Sequence, residues 1–277
     1  MIVDHVTICG PDLDTLQTAL AAFGLQPQYG GAHANGVTHM ALLGFADGSY
    51  LELIAPLKPG QTGGAHWGAL MKERAGCCAW AVRVENIGAE VSRLRSLGIE
   101  VNGPIPGSRK RPDGKILEWE IAVPGPGEPG ALLPFMIQDH TPRQWRVPPS
   151  PKITNGGLTG IAAVLLAVKD IRMAGELFRQ AYGWKMPPIA ADPEFGEIMY
   201  FPGTPVILAS PVHADSWLAR RLQKFGNRPA AFLLGSRDLH AAGTRFHLST
   251  SEKRFGREIS WFPEEQSSAL RLGVAAL

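Results

Sequence analysis

His5, His39 and Glu52 are the residues whose chemistry stands out. Two imidazoles and a carboxylate form a donor set suited to zinc, manganese or iron(II), with positions left open for substrate oxygens. Strand parity gives these residues faces, because successive side chains alternate across a sheet. In Asp4-His5-Val6-Thr7-Ile8-Cys9, His5 and Thr7 share one side, while Val6 and Ile8 share the other. In residues 49–55, Tyr50, Glu52 and Ile54 face together, opposite Leu51 and Leu53. With the apolar sides turned to a helix layer, His5 and Glu52 point away from it. His39 falls with Ala41 and Leu43 on a strand of mixed faces, so it either joins the pair or faces away. Glu52 is also the expected catalytic group, acting as a general base where no metal uses it. Arg109 and Arg111 alternate about Lys110, share a face and are expected to grip an anionic substrate. Tyr50, Trp119 and Gln138 complete the expected substrate contacts.

A structural reading stands beside each of these. For His5 it is a hydrogen-bonded strand histidine, and for Glu52 a salt bridge to an arginine. For Arg109 and Arg111 it is a solvated hairpin, and for Trp80, Trp119 and Phe135 it is core packing. His33, in a Gly/Asn-rich turn, is expected in solvent. His66 and Trp67 are expected over the mouth of the site.

The elements that must position these residues repeat. After the His5 strand, Asp12 is an N-cap, Leu13, Leu16, Leu20 and Phe23 recur at helical spacing, and Gly24 is the stop. Extended stretches follow at 26–30, 36–45 and 49–55, with Asp47-Gly48 as a hairpin turn. A second unit starts near Cys78, with Ile87, Val91, Leu94 and Leu97 as its helix stripe, a turn at Pro112-Asp113-Gly114 and a closing strand at 132–138. A third has its helix near 171–182 and strands near 197–201 and 205–210. A fourth, with a strand at 231–234 and a last strand at 269–277, has a short or degraded helix. Overlaying the helix stops puts Ala79 and Ala163 opposite His5, and Ile207 about where Glu52 lies. The architecture therefore does not demand a histidine at that position. Pro142, Pro148, Pro149, Pro151 and Gly156-Gly157 mark residues 141–157 as a linker between domains 1–140 and 158–277.

Composition narrows the function classes. The 277 residues are 45% hydrophobic and 19% charged, which is ordinary for a globular chain. A formal net charge of +2 without a Lys/Arg block argues against nucleic acid. No apolar run reaches the roughly 18–20 residues of a membrane span. Cys9, Cys77 and Cys78 make no disulfide framework, and a cytoplasmic location is expected.

Three segments resemble the glyoxalase-like branch of the vicinal oxygen chelate superfamily. They are Asp4-His5-Val6-Thr7-Ile8 with Pro11-Asp12-Leu13, Gly36-Val37-Thr38-His39-Met40-Ala41-Leu42, and Asp47-Gly48-Ser49-Tyr50-Leu51-Glu52-Leu53-Ile54. Pro106-Gly107-Ser108-Arg109-Lys110-Arg111-Pro112-Asp113-Gly114 is similar to that branch's second unit. The resemblance implies an α+β fold of paired βαβββ modules, whose curved mixed sheets form a cup with helices on the convex side. It implies a divalent metal or small ligand in the cup, and it places metal ligands on the first and last strands of a module, here His5 and Glu52. The expected function is binding of a small, anionic, oxygen-rich molecule in an N-terminal cup, with metal-dependent lyase or isomerase activity. The alternative is a non-catalytic protein of the same fold that sequesters its ligand. A homo-oligomer is left open.

Overall fold

Four helices begin with the same device, and it sets the repeat. The computed structural model describes residues 1–111, 113–263 and 270–277. Asp12, Asn86, Asp170 and Asp238 each accept a backbone N–H from the first turn of the helix that follows. Those helices are α1 (Leu13–Ala22), α3 (Ile87–Ser96), α6 (Ile171–Tyr182) and α8 (Leu239–Phe246). Each follows a long buried strand: β1 (Ile2–Cys9), β5 (Gly76–Arg83), β9 (Leu158–Ala167) and β13 (Arg228–Ser236). Three further strands complete each unit. They are β2 (Gln28–Ala32), β3 (Thr38–Gly44) and β4 (Tyr50–Pro56); then β6 (Val101–Lys110), β7 (Ile116–Pro124) and β8 (Phe135–Asp139). In the second half they are β10 (Ala190–Asp192), β11 (Gly196–Tyr200) and β12 (Val206–Ser210); then β14 (Glu252–Arg254), β15 (Arg257–Trp261) and β16 (Leu272–Ala276). The fourth helix is thus a complete two turns with its own cap. The expected last strand begins at Leu272, and Ala269 lies outside the described residues, as does Pro112.

Units combine in pairs into two eight-stranded curled sheets, ordered β2-β3-β4-β1-β5-β8-β7-β6 and β10-β11-β12-β9-β13-β16-β15-β14. In each, the first strands of the two modules run antiparallel at the centre (β1 with β5, β9 with β13), and each pairs in parallel with its own closing strand. The convex faces of both sheets share one apolar core with the four capped helices. It contains Val6, Ile8, Leu16, Leu20, Val91, Trp80, Val164, Leu166, Phe178, Phe232 and Phe246. This is the expected paired-module α+β fold. Among the described residues, no helix is long and apolar enough to cross a membrane.

Two insertions occupy equivalent places between the modules of each half: α2 (Gly68–Lys72) and α7 (Trp217–Phe225). Between the halves run α4 (Arg143–Arg146) and α5 (Pro151–Thr154). The backbone there approaches β3 so closely that a Cβ on Gly44 would lie 2.3 Å from the Pro148 carbonyl oxygen. The segment is therefore strapped across the first sheet.

Candidate functional site

Register places the His5 and Glu52 pair in the first cup. His5 stands seven residues before the Asp12 cap, and the same offset from the other caps gives Ala79, Ala163 and Ala231. Glu52 pairs with Thr7, two residues beyond His5. Its counterparts by the same rule are Phe135, Ile207 and Gly273. At these positions the second sheet is apolar, while Arg254, Arg257 and Arg271 lie over its aromatic rings. Leu218 and Leu222 of the nine-residue α7 pack into it with Phe195, Phe255 and Ile259. In the first half α2 has five residues, and a cavity of about 180 Å³ remains.

That cavity is lined by His5, His33, Tyr50, Glu52, Trp119 and Arg146, with His66, Trp67 and Phe135 among its walls. His5 is 4% exposed and Glu52 8%. The Tyr50 ring stacks on His5 at 4.6 Å, and Phe135 meets it edge-on at 5.3 Å. The β1–β5 register slips between Val3 and His5, leaving Asp4 as the extra residue of a bulge. Asp4 Oδ1 lies 2.7 Å from His5 Nδ1. Asp4 also pairs with Arg143 and, at 3.7 Å, with Arg83. Burial would raise its pKa. The His5 hydrogen bond and the charges of His5, Arg143 and Arg146 outweigh that and hold it at about 2. Asp4 is therefore an acceptor only, so His5 Nδ1 donates and Nε2 is turned to Glu52, 3.7 Å from Oε2.

Glu52 has a second imidazole on its other side. His33 Nε2 is 3.4 Å from Oε1, and His33 Nδ1 is 2.9 Å from the Thr38 hydroxyl. The Thr7 hydroxyl donates to Oε2 at 3.3 Å. Burial would raise the Glu52 pKa. The His33 hydrogen bond and the charges of His5, His33 and Arg109 bring it down to about 2. His33 was expected in solvent. The β2–β3 hairpin curls instead, with His33 N–H bonded to the Thr38 carbonyl, and delivers the ring over the cup.

His39 does not join the site. It alternates with Thr38 and Met40, whose side of β3 faces the cup, so its ring lies on the helix side, 5.9 Å from Tyr29. Burial lowers its pKa, against the pull of Asp14 on α1. The expected set of His5, His39 and Glu52 is therefore not assembled. His33 stands in its place, yet the two imidazoles address different oxygens of Glu52 and do not surround a common point. Among the described residues, no group of three or more His, Cys, Asp or Glu is disposed to hold a metal ion. The two imidazoles flank the carboxylate from opposite sides, and the donors as placed do not fit a resident metal.

Gln138 is also elsewhere: its Oε1 accepts the Ile87 N–H at the start of α3. Tyr50 and Trp119 line the cavity. Arg109 and Arg111 lie beneath the strap, donating to the carbonyls of Gly30 and Arg146 and of Trp145 respectively. Three site residues escaped the sequence reading: Asp4, His33 and Arg146. Asp4 sits beside His5, but only the bulge turns it to the ring. Arg146 is 9% exposed, stacks over Trp119 at 4.5 Å and pairs with Asp139. Its one signal was the Arg143/Arg146 patch.

The second half reaches the wall of the cavity. Trp67 holds a left-handed backbone at φ 60, a strained conformation for a bulky residue. Its N–H donates to Glu128 at 2.8 Å, and Glu128 pairs with Arg228 of β13. Arg221 of α7 donates to the carbonyls of Ala75 and Cys77, and Phe225 packs beside Trp67, Leu70 and Phe135.

No curated protein matches the sequence. A hypothetical protein from Staphylococcus aureus is similar over 99% of both chains, with a TM-score of 0.63 at 13% identity. Methylmalonyl-CoA epimerase from Mycobacterium tuberculosis matches at 19% identity over 43% of this chain and 89% of its own, with a TM-score of 0.37. The Streptomyces coelicolor epimerase, in complex with 2-nitronate-propionyl-CoA, gives 19%, 43%, 97% and 0.36. A model of the glyoxalase-like domain matches residues 3–182, spanning the first sheet, the strap and the opening of the third unit. The chain belongs to the glyoxalase-like domain family.

Proposed function

We propose that the first cup binds a small, oxygen-rich anion and that the Asp4–His5–Glu52–His33 row moves a proton on it, as in a lyase or isomerase. The observation that carries this reading is the row itself: an ionised carboxylate, screened from water, between two imidazoles at the base of an aromatic-walled cavity. Asp4 holds the His5 ring through Nδ1, which turns Nε2 toward Glu52. A ligand entering above Glu52 meets a carboxylate that can take a proton and histidines that can share it.

A second reading, sequestration without turnover, is favoured by the Glu52 carboxyl being held at about 2, far below the pH at which a general base works best. Deuterium exchange separates the two. Pyruvate, lactate and glycerate are first screened by thermal shift, and any binder is incubated with the protein in D2O. Exchange at its carbon, lost in Glu52→Gln, supports proton transfer. A thermal shift without exchange supports sequestration. No shift with any probe, and none with larger oxyacids, overturns both. Zinc, manganese or iron(II) would require the row to reorganise about one point. Stoichiometric metal lost from His5→Ala and Glu52→Ala would establish that. The buried free thiols Cys9, Cys77 and Cys78 support a reducing, cytoplasmic setting as part of the proposal.

A further inference from the structure

The strap borders a second cavity besides the one that holds Glu52. It measures about 470 Å³, with Gln28, Arg109, Arg111, Arg146 and Ser150 in its lining. Asp113 is the one carboxylate among its lining residues, and it is already paired with Arg111 at 3.0 Å. Arg146 is matched by Asp139. Arg109 is different. It is 8% exposed, and its hydrogen-bond partners among the described residues are the Gly30 and Arg146 carbonyls and the Met40 thioether, none of them charged.

A guanidinium has five N–H donors, so three such contacts leave it unsaturated. Burying that cation without a charged hydrogen-bond partner is costly, and burial lowers its pKa accordingly. Its forked donors match the geometry of a carboxylate or a phosphate. Arg111 lines the same space, a quarter exposed, at the more open side.

We propose that this second compartment is an oxyanion site, in which Arg109 and Arg111 hold the carboxylate or phosphate group of an organic anion. Arg146 lines both compartments, so they adjoin across a single side chain. The ligand of the Glu52 cavity then carries its anionic group on the far side of Arg146. That last step rests on the proposed function; the oxyanion site does not.

Calorimetric titration tests it on the whole chain, with inorganic phosphate and succinate as separate probes that distinguish the two oxyanion chemistries. At least one is expected to bind, with affinity that falls as salt rises. Affinity should drop roughly tenfold or more in Arg111→Gln and in Arg109→Lys. Arg111→Gln is expected to melt like the parent chain, which guards against misfolding of the buried Arg109 variant. Arg95→Gln, an arginine on another surface, should bind as before. Glu52→Gln removes a nearby negative charge and should bind as tightly or more so, which keeps this test apart from that of proton transfer. No heat with either probe overturns the proposal. So does equal affinity in the parent and Arg111→Gln, or loss in Glu52→Gln alone, which would place the anion beside Glu52.

Discussion

Asp4 and His5 are neighbours on one strand, yet their side chains meet at 2.7 Å. In a regular strand they would point to opposite faces. The bulge at Asp4 removes that separation and sets a buried carboxylate behind the imidazole. Arg143 and Arg83 hold the carboxylate from the other side, so the strap and β5 both support the site residue.

Asp4→Ala should therefore be among the most damaging single changes. It leaves the His5 Nδ1–H without its buried partner and Arg143 with Asp139 as its remaining carboxylate. Loss of one member of a buried pair costs about 3–5 kcal/mol. Urea unfolding should show this as a lower midpoint at unchanged slope, and a loss under about 1 kcal/mol would contradict the pairing.

Acid should destabilise the chain through Glu52 and Asp4. Both carboxyls are held at about 2 in the folded chain, below their ordinary values of 4.5 and 3.8. The unfolded chain thus binds more protons as pH falls, and stability is lost from about pH 4.5 down to about 2. Glu52 alone contributes on the order of 3 kcal/mol across that window. Unfolding free energies measured against pH should show a shallower acid limb in Glu52→Gln than in the parent.

Removing His33 should release Glu52. The His33 hydrogen bond leads the influences that lower its pKa, so His33→Ala should move it up toward 4.5. His39→Ala should leave it where it is, because that ring lies on the helix side. Carbon-13 titration of the Glu52 carboxyl reads both variants directly. Equal titration curves in His33→Ala and the parent would contradict the placement of His33.

Arg221→Met should couple the halves to the cavity wall. Arg221 is 9% exposed and donates to the Ala75, Cys77 and Pro229 carbonyls. Unpairing buried acceptors costs about 1–3 kcal/mol each, softened where water enters. A fall of about 3 kcal/mol is expected, with faster amide exchange in residues 66–77 than in α6. Uniform exchange across both halves would argue against a local coupling.

Gly44→Ala should disturb the strap. Its Cβ would lie 2.3 Å from the Pro148 carbonyl oxygen, a backbone atom that cannot swing aside. The expected loss is about 1–3 kcal/mol. Arg146 should also move off Trp119, seen as a change in the indole N–H shift of Trp119.

The sequence by itself determined the paired modules. The Asp12 cap and the helices of the first three units are local patterns, legible because capping and periodicity act over a few residues, whereas the fourth helix, expected as short or degraded, is two full turns with its own cap. The same spacing marks His5 and Glu52 as side chains with no counterpart in the other units. Tertiary structure decided their partners. His33 reaches Glu52 only because a hairpin curls, Asp4 reaches His5 only through a bulge, and Arg146 arrives on a strap from outside the sheet. His39 was lost to the site because strand parity fixes that residues alternate but not which set faces the helices, a choice made by packing. The apolar core of the second cup was decided the same way, by Leu218 and Leu222 of α7 packing with Phe195, Phe255 and Ile259.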